Sequence, residues 1–357
     1  MSASERNERV YSYVSGLFID VANGEKVIED IDESIKVLVR NFVNISQKGF
    51  REIVLTSICG MFIDNEFKAT EDFYKCNPRS IYEGAIRQAL EDMMIPCGKS
   101  GPLNVAKNAD GIDHSWAKGK RPEKAAISVV DFLINLEKLE GENRNNLINY
   151  YISEMLKLAE EVRSTIINVP DVEDSRLFLA EKISSFVTLC PEGGAVPQYF
   201  FGSLLEFSTK SQIDVFGTDE SVFGTNTTSK KPGDIWTEVN GEIDKIYEIT
   251  VKPIDNNRLK DCSQNIKEQN LADKVVTFVC RTPDDLKYLD FENENAVIFF
   301  DVRYEFVDIT NYFKYTLLGM TDSDFQDFLN KIKDFIEDYN RPMKTKQLWN
   351  SLIDGLG

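Results

Sequence analysis

Asp234, Glu248, Thr250 and Lys252 are the residues of this chain whose types and spacing could do chemistry. Pro232-Gly233-Asp234 precedes a β-rich run, and fourteen residues after Asp234 stands Glu248, within Tyr247-Glu248-Ile249-Thr250-Val251-Lys252. Side chains alternate along a strand, so Glu248, Thr250 and Lys252 are expected on one face, with Ile249 and Val251 in the opposite layer. Asn240-Gly241, a dipeptide suited to a tight hairpin, lies between the two runs and would set Asp234 and Glu248 on neighbouring strands. Two carboxylates and an ammonium then converge. Such a pair can hold one Mg²⁺, with the Ile249 carbonyl and waters completing an octahedron. The ion would neutralise charge on a phosphodiester and acidify a bound water. Lys252 would position or help deprotonate that water, and in-line attack would leave a 5′-phosphate.

The histidine count agrees with this metal. His114 is the sole histidine, so two-histidine designs are excluded and a hydrolytic ion must be held mainly by oxygen, which points to Mg²⁺ or a similar hard ion. The six cysteines, Cys59, Cys76, Cys97, Cys190, Cys262 and Cys280, are widely spaced with no C-x-x-C, and are expected as buried thiols in a reducing compartment. No run approaches the roughly 20 apolar residues of a membrane span, and a cytoplasmic protein is expected. Charge pulls the other way from a nucleic-acid partner: 41 basic against 59 acidic residues give −18. Locally the balance reverses, because from Lys99 to Lys124 six basic residues face three acids.

The elements that must position these groups follow from periodicity. Residues 27–190 read as mostly helical: Val27, Ile28, Ile31, Ile35, Leu38, Val39 and Phe42 recur at helical spacing, Asn77-Pro78 opens another helix, and further ones are expected over 121–139, 145–166 and 174–189. Between them, 96–120 carries four glycines and two prolines without periodicity and is expected as a long binding loop. Its Lys99, Ser100, Asn104, Lys107, His114, Trp116, Lys118 and Lys120, with Arg121 just beyond, offer phosphate contacts, base-edge hydrogen bonds and a stacking side chain. The alternative is an ordinary solvated loop with Trp116 tucked into the core. After Pro191 a helix is expected over 198–207, strands at Ile235–Val239, 246–251, Val275–Cys280 and 296–302, and a helix at about 258–272 making the second and third strands a parallel pair. Thr321 opens a last amphipathic helix. The expected class is α/β: a largely helical domain over 1–190, then a mixed-sheet core over 191–357.

Pro232-Gly233-Asp234 followed by Glu248-Ile249-Thr250-Val251-Lys252 resembles the PD-(D/E)XK nuclease superfamily, which includes many type II restriction endonucleases. Two departures stand out: a glycine inside the proline–aspartate pair, and Thr250 in the usual lysine slot with the lysine two residues further on. Thr250 competes for that slot as a contact to water or the metal shell. Asn77-Pro78-Arg79-Ser80-Ile81-Tyr82-Glu83, Gly98-Lys99-Ser100-Gly101-Pro102-Leu103-Asn104 and Trp116-Ala117-Lys118-Gly119-Lys120-Arg121 are similar to the helical half of SacI-type restriction enzymes. The resemblance implies a restriction-endonuclease-like core, double-stranded DNA as substrate, and an extra acid from the helix before the sheet, at Glu206. A solvated Glu206 is the alternative, and Gln198 on the same helix is a supporting candidate.

Other readings use the same residues. A partner- or ligand-activated DNase effector of a defence system, or an inactive DNA-binding protein on the same fold, fits the motif, and a turn residue, an edge acid and a solvent lysine would also produce it. A palindromic target would favour a symmetric homodimer, and a cognate methyltransferase in the same system need form no stable complex with it. The nuclease reading requires the two carboxylates within about 8 Å of each other, with neither buried against an unrelated arginine.

Overall fold

The computed structural model describes residues 2–26, 28–170, 175–209, 213–219, 231–280 and 296–354. Val27, Asp174 and the Cys280 thiol lie outside what is described. The chain forms two units, Met1–Ile166 with Asp338–Pro342, and Ile167–Glu337 with Met343–Gly357. The break therefore falls at 166/167 and not at 190. The helix Arg176–Leu189 buries Leu179, Ala180, Ile183, Phe186 and Val187 in the same core as the elements after Pro191, which moves it into the second unit.

The first unit is helical: α1 (Ala3–Ala22), α2 (Glu33–Val43), α3 (Gly49–Ile63), α4 (Pro78–Ile81), α5 (Arg87–Asp92), α6 (Leu103–Ala106), α7 (His114–Ala117), α8 (Glu123–Lys138) and α9 (Gly141–Ser164). A π turn, Tyr82–Ile86, joins α4 to α5. α1 begins on a capping box between Ser2 and Glu5 that the polar look of the first residues conceals. α2 starts only at Glu33, capped by Asp32, so Ile28 and Ile31 precede the helix they were expected to open. α3 is buried on every side from Gly49 to Met61, Arg51 and Glu52 included, and so carries little amphipathic signal. The expected loop over 96–120 contains two single-turn helices, α6 and α7, the second capped by Asp113.

The second unit runs α10 (Arg176–Leu189), α11 (Ala195–Ser208), β1 (Asp214–Phe216), β2 (Ile235–Val239), β3 (Glu242–Thr250), α12 (Asn256–Glu268), β4 (Val275–Cys280), β5 (Ala296–Phe299), β6 (Val302–Asp308), α13 (Ile309–Gly319), α14 (Asp322–Glu337) and α15 (Met343–Asp354). Its strands make one mixed sheet, ordered β1-β2-β3-β4-β6-β5. β3, β4 and β6 are mutually parallel, whereas the β1–β2, β2–β3 and β5–β6 pairs are antiparallel. The α/β class and the parallel pair across α12 stand as expected. The single strand expected over 296–302 is instead a hairpin, because Phe300 and Asp301 both take positive φ, 49° and 59°, and reverse the chain.

The two faces of the sheet have separate cores. On one, Ile246, Val276, Phe278 and Tyr304 pack with Leu259, Cys262 and Ile266 of α12. On the other, Tyr247, Ile249 and Val279 pack among α10, α11, α13, α14 and α15, with the Phe201 ring 5.2 Å from that of Tyr247. Strand alternation on β3 therefore delivers Glu248 to the α12 face and Ile249 to the opposite one. Cys59, Cys76, Cys97, Cys190 and Cys262 are buried and free, as expected. No helix of the described residues is long and apolar enough to cross a membrane.

Candidate active site

Asn240 and Gly241 take φ of 54° and 80°, which closes the two-residue hairpin between β2 and β3. Ile235 pairs with Tyr247 across it, so one step back along the chain sets Asp234 opposite Glu248 on one face. The Ile249 N–H donates to Asp234 Oδ2 at 2.9 Å and fixes the aspartate against β3. Gly233 permits this approach: a Cβ there would lie 2.9 Å from the Tyr247 carbonyl oxygen and 2.7 Å from the Ile246 side chain. The glycine inserted in the motif is a close-approach residue. Gly217 serves the same end from the other side, with φ of 93° and space for a Cβ only 2.3 Å from the Asp234 carbonyl oxygen.

Burial pushes the Asp234 carboxyl above its ordinary range, against the opposing pull of the Ile249 N–H and of the Arg258 and Lys231 charges. Enclosure therefore dominates, and a further cation would stabilise the ionised form. Asp234, Ile249, Thr250, Lys252, Gln198 and Arg258 line a cavity of about 230 Å³. Two carboxylates opposed across a hairpin are hard oxygen donors, which suit Mg²⁺ in kind. Among the described residues no group of three or more His, Cys, Asp or Glu side chains gathers as a metal centre.

Several expectations about neighbouring residues need correcting. β3 ends at Thr250, so strand alternation does not carry Lys252 onto the face of Glu248; Lys252 sits in the bend that follows, exposed, and reaches the cavity from its rim. Thr250 Oγ1 accepts from the Lys252 N–H at 3.0 Å, and its hydroxyl closes this bend. Ile249 meets Asp234 through its N–H, a contact separate from the carbonyl expected to face the ion. Glu206 accepts from the Thr218 hydroxyl at 2.7 Å and pairs with Lys331, and it does not line the cavity. Gln198 does line it, buried, with its amide donating to the Gly217 carbonyl.

Arg258 is the residue that sequence reading missed. Glu248 is only 6% exposed, and its Oε2 lies 3.3 Å from the Arg258 guanidinium, so one of the two acids is buried against an arginine, and whether that arginine is unrelated to the site decides the condition set above. Arg258 is no core residue, however: it is 34% exposed and lines the same cavity as Asp234. A signal was present in the sequence. Arg258 stands in the first turn of α12, where the helix dipole disfavours a cation, and a cation there implies an acidic partner.

The basic segment of the first unit is part surface, part packing. Lys99, Ser100, Asn104, Lys107, His114, Lys118 and Arg121 are exposed. His114 is 3.3 Å from Asp131. Trp116 is turned inward, its indole N–H donating to the Val105 carbonyl at 3.3 Å and its ring 6.2 Å from that of Phe50. Lys120 donates to the same carbonyl at 2.8 Å and lies 5.5 Å above the Trp116 ring. Trp116 is thus tucked against the core, as the alternative has it, and Lys120 packs on its ring. No protein-family model matches the sequence, and no curated protein matches it.

Proposed function

We propose that the chain is a Mg²⁺-dependent DNA endonuclease of the PD-(D/E)XK, restriction type, acting on double-stranded DNA. One observation carries the reading: the β2–β3 register sets Asp234 across from Glu248, beside a cavity that Lys252 also lines. Asp234 and Glu248 would hold the ion. A bound Mg²⁺ supplies charge neutralisation at the phosphate and a more acidic water. Lys252, exposed at the rim, is placed to meet the charge of the phosphate with its ammonium. The exposed Lys99, Lys107, Lys118 and Arg121 supply phosphate contacts in a chain whose net charge of −18 limits promiscuous binding. A palindromic target would bring two copies together as a homodimer, and a restriction role implies a cognate methyltransferase that need not bind stably.

A second reading has its own support. The Arg258–Glu248 pair satisfies the buried acid without a metal, as expected of an inactive DNA-binding protein on this fold. Incubating the purified protein with mixed phage DNA and Mg²⁺ separates the two. Discrete fragments from the wild type, absent with Asp234→Ala, are the expected result. A smear lost in the same variant points to an effector nuclease, and intact DNA from both proteins supports the inactive reading.

A further inference from the structure

We infer that Arg258 competes with the divalent ion for Glu248, so that the guanidinium holds the site when the ion is absent and turns to the DNA phosphate when the ion is bound. The inference rests on the metal-dependent reading given above. Glu248 lies buried on β3, and ionising it there without a nearby cation is costly. Arg258 is that cation, at 3.3 Å from Oε2. The same carboxylate is expected to hold the metal, and a dication placed on it repels the guanidinium charge 3.3 Å from Oε2, so each cation weakens the hold of the other.

Arg258 is built to exchange. Its side chain is 34% exposed, and the contact is longer than the 2.7–2.9 Å typical of a strong charge-assisted bond. Its guanidinium carbon sits 5.7 Å from the centroid of Phe278, an aromatic face on which the side chain can rest independently of Glu248. It also lines the cavity that Asp234 and Lys252 line, so a small rotation turns its donors from the carboxylate to a bound phosphate. A planar fork of N–H donors suits a phosphate oxygen pair. Position explains why an arginine stands here: α12 follows directly on the bend after β3, and its Asp255 cap fixes the first turn so that Arg258 faces back toward the strand.

Mn²⁺ binding, followed by electron paramagnetic resonance in the absence of DNA, tests this directly. Arg258→Met keeps an apolar stem over Phe278 and removes the charge; it is expected to tighten Mn²⁺ binding at least tenfold over wild type. The same variant is expected to bind duplex DNA in Ca²⁺ at least fivefold more weakly by fluorescence anisotropy. Arg258→Lys, which keeps a charge, is expected to fall between the two on both axes and serves if the Met variant does not fold. Equal or weaker Mn²⁺ binding by Arg258→Met overturns the competition while leaving the metal site intact. Absence of Mn²⁺ binding by every variant, with Asp234→Ala indistinguishable from wild type, overturns the metal-dependent reading and the competition with it.

Discussion

At Asp234 a carboxylate is held beside a strand by a glycine on each side. Gly233 lets the chain pass within van der Waals contact of β3, and Gly217 takes φ of 93° so that its backbone can lie against Asp234. Substituting Gly233 by Ala forces a Cβ to 2.9 Å from the Tyr247 oxygen, and the backbone must move away from β3 to relieve it. The cost is expected at about 1–3 kcal/mol by the scale of overpacked sites. Because Asp234 moves with it, cleavage is expected to fall by more than tenfold at a temperature where the variant is fully folded, as checked by circular dichroism. Full activity in the folded variant would show that Asp234 does not depend on this approach. The motif's acids were legible from spacing. The reach of Lys252 was not, because where a strand stops depends on the Thr250 hydroxyl capturing the Lys252 N–H, a local competition that periodicity does not register.

Hairpins and short helices decide the next level. Asn240-Gly241 announced its turn by residue type, and β2, β4 and the crossover helix α12 were readable within a few residues. The Phe300–Asp301 turn lacks glycine, and an apolar run there reads as one strand although two positive φ values fold it back. The segment over 96–120 likewise looked featureless, because its helices are one turn long and held by Trp116, whose ring meets Phe50 and Lys120. Trp116→Ala is therefore expected to lower the stability of the first unit by about 2–4 kcal/mol, read by denaturant unfolding, and to leave DNA affinity per folded molecule within twofold. An unchanged unfolding midpoint with a tenfold loss of DNA binding would restore Trp116 to the DNA surface.

Over the whole molecule, charge is placed unevenly, and the first unit buries an ionic group of its own. Lys48 donates to the Asn340 carbonyl at 2.8 Å and to the Cys97 carbonyl at 3.3 Å. Burial, helped by the Arg51 charge, pushes its amine down to about 8 from 10.5, with Cys97, Glu52 and Asp338 pulling the other way. Between these values the unfolded chain binds the proton and the folded one does not, so stability rises with pH across 8 to 10.5 and is lost as pH falls toward 8. Relative to Lys48→Met, the wild type is expected to gain at most about 3 kcal/mol over that window, measured by urea unfolding at each pH; a flat difference would mean the amine titrates as in water. The sequence by itself determined the α/β class, the helix-rich first part, the hairpin that opposes Asp234 to Glu248, and the exclusion of two-histidine designs, since each follows from residue type or short-range period. Tertiary structure alone decided that α10 joins the sheet's core, that Trp116 and Lys120 turn inward, and that Arg258 comes to Glu248. Those outcomes depend on which buried surfaces and charges find each other across ten or more residues, and chain order does not encode that proximity.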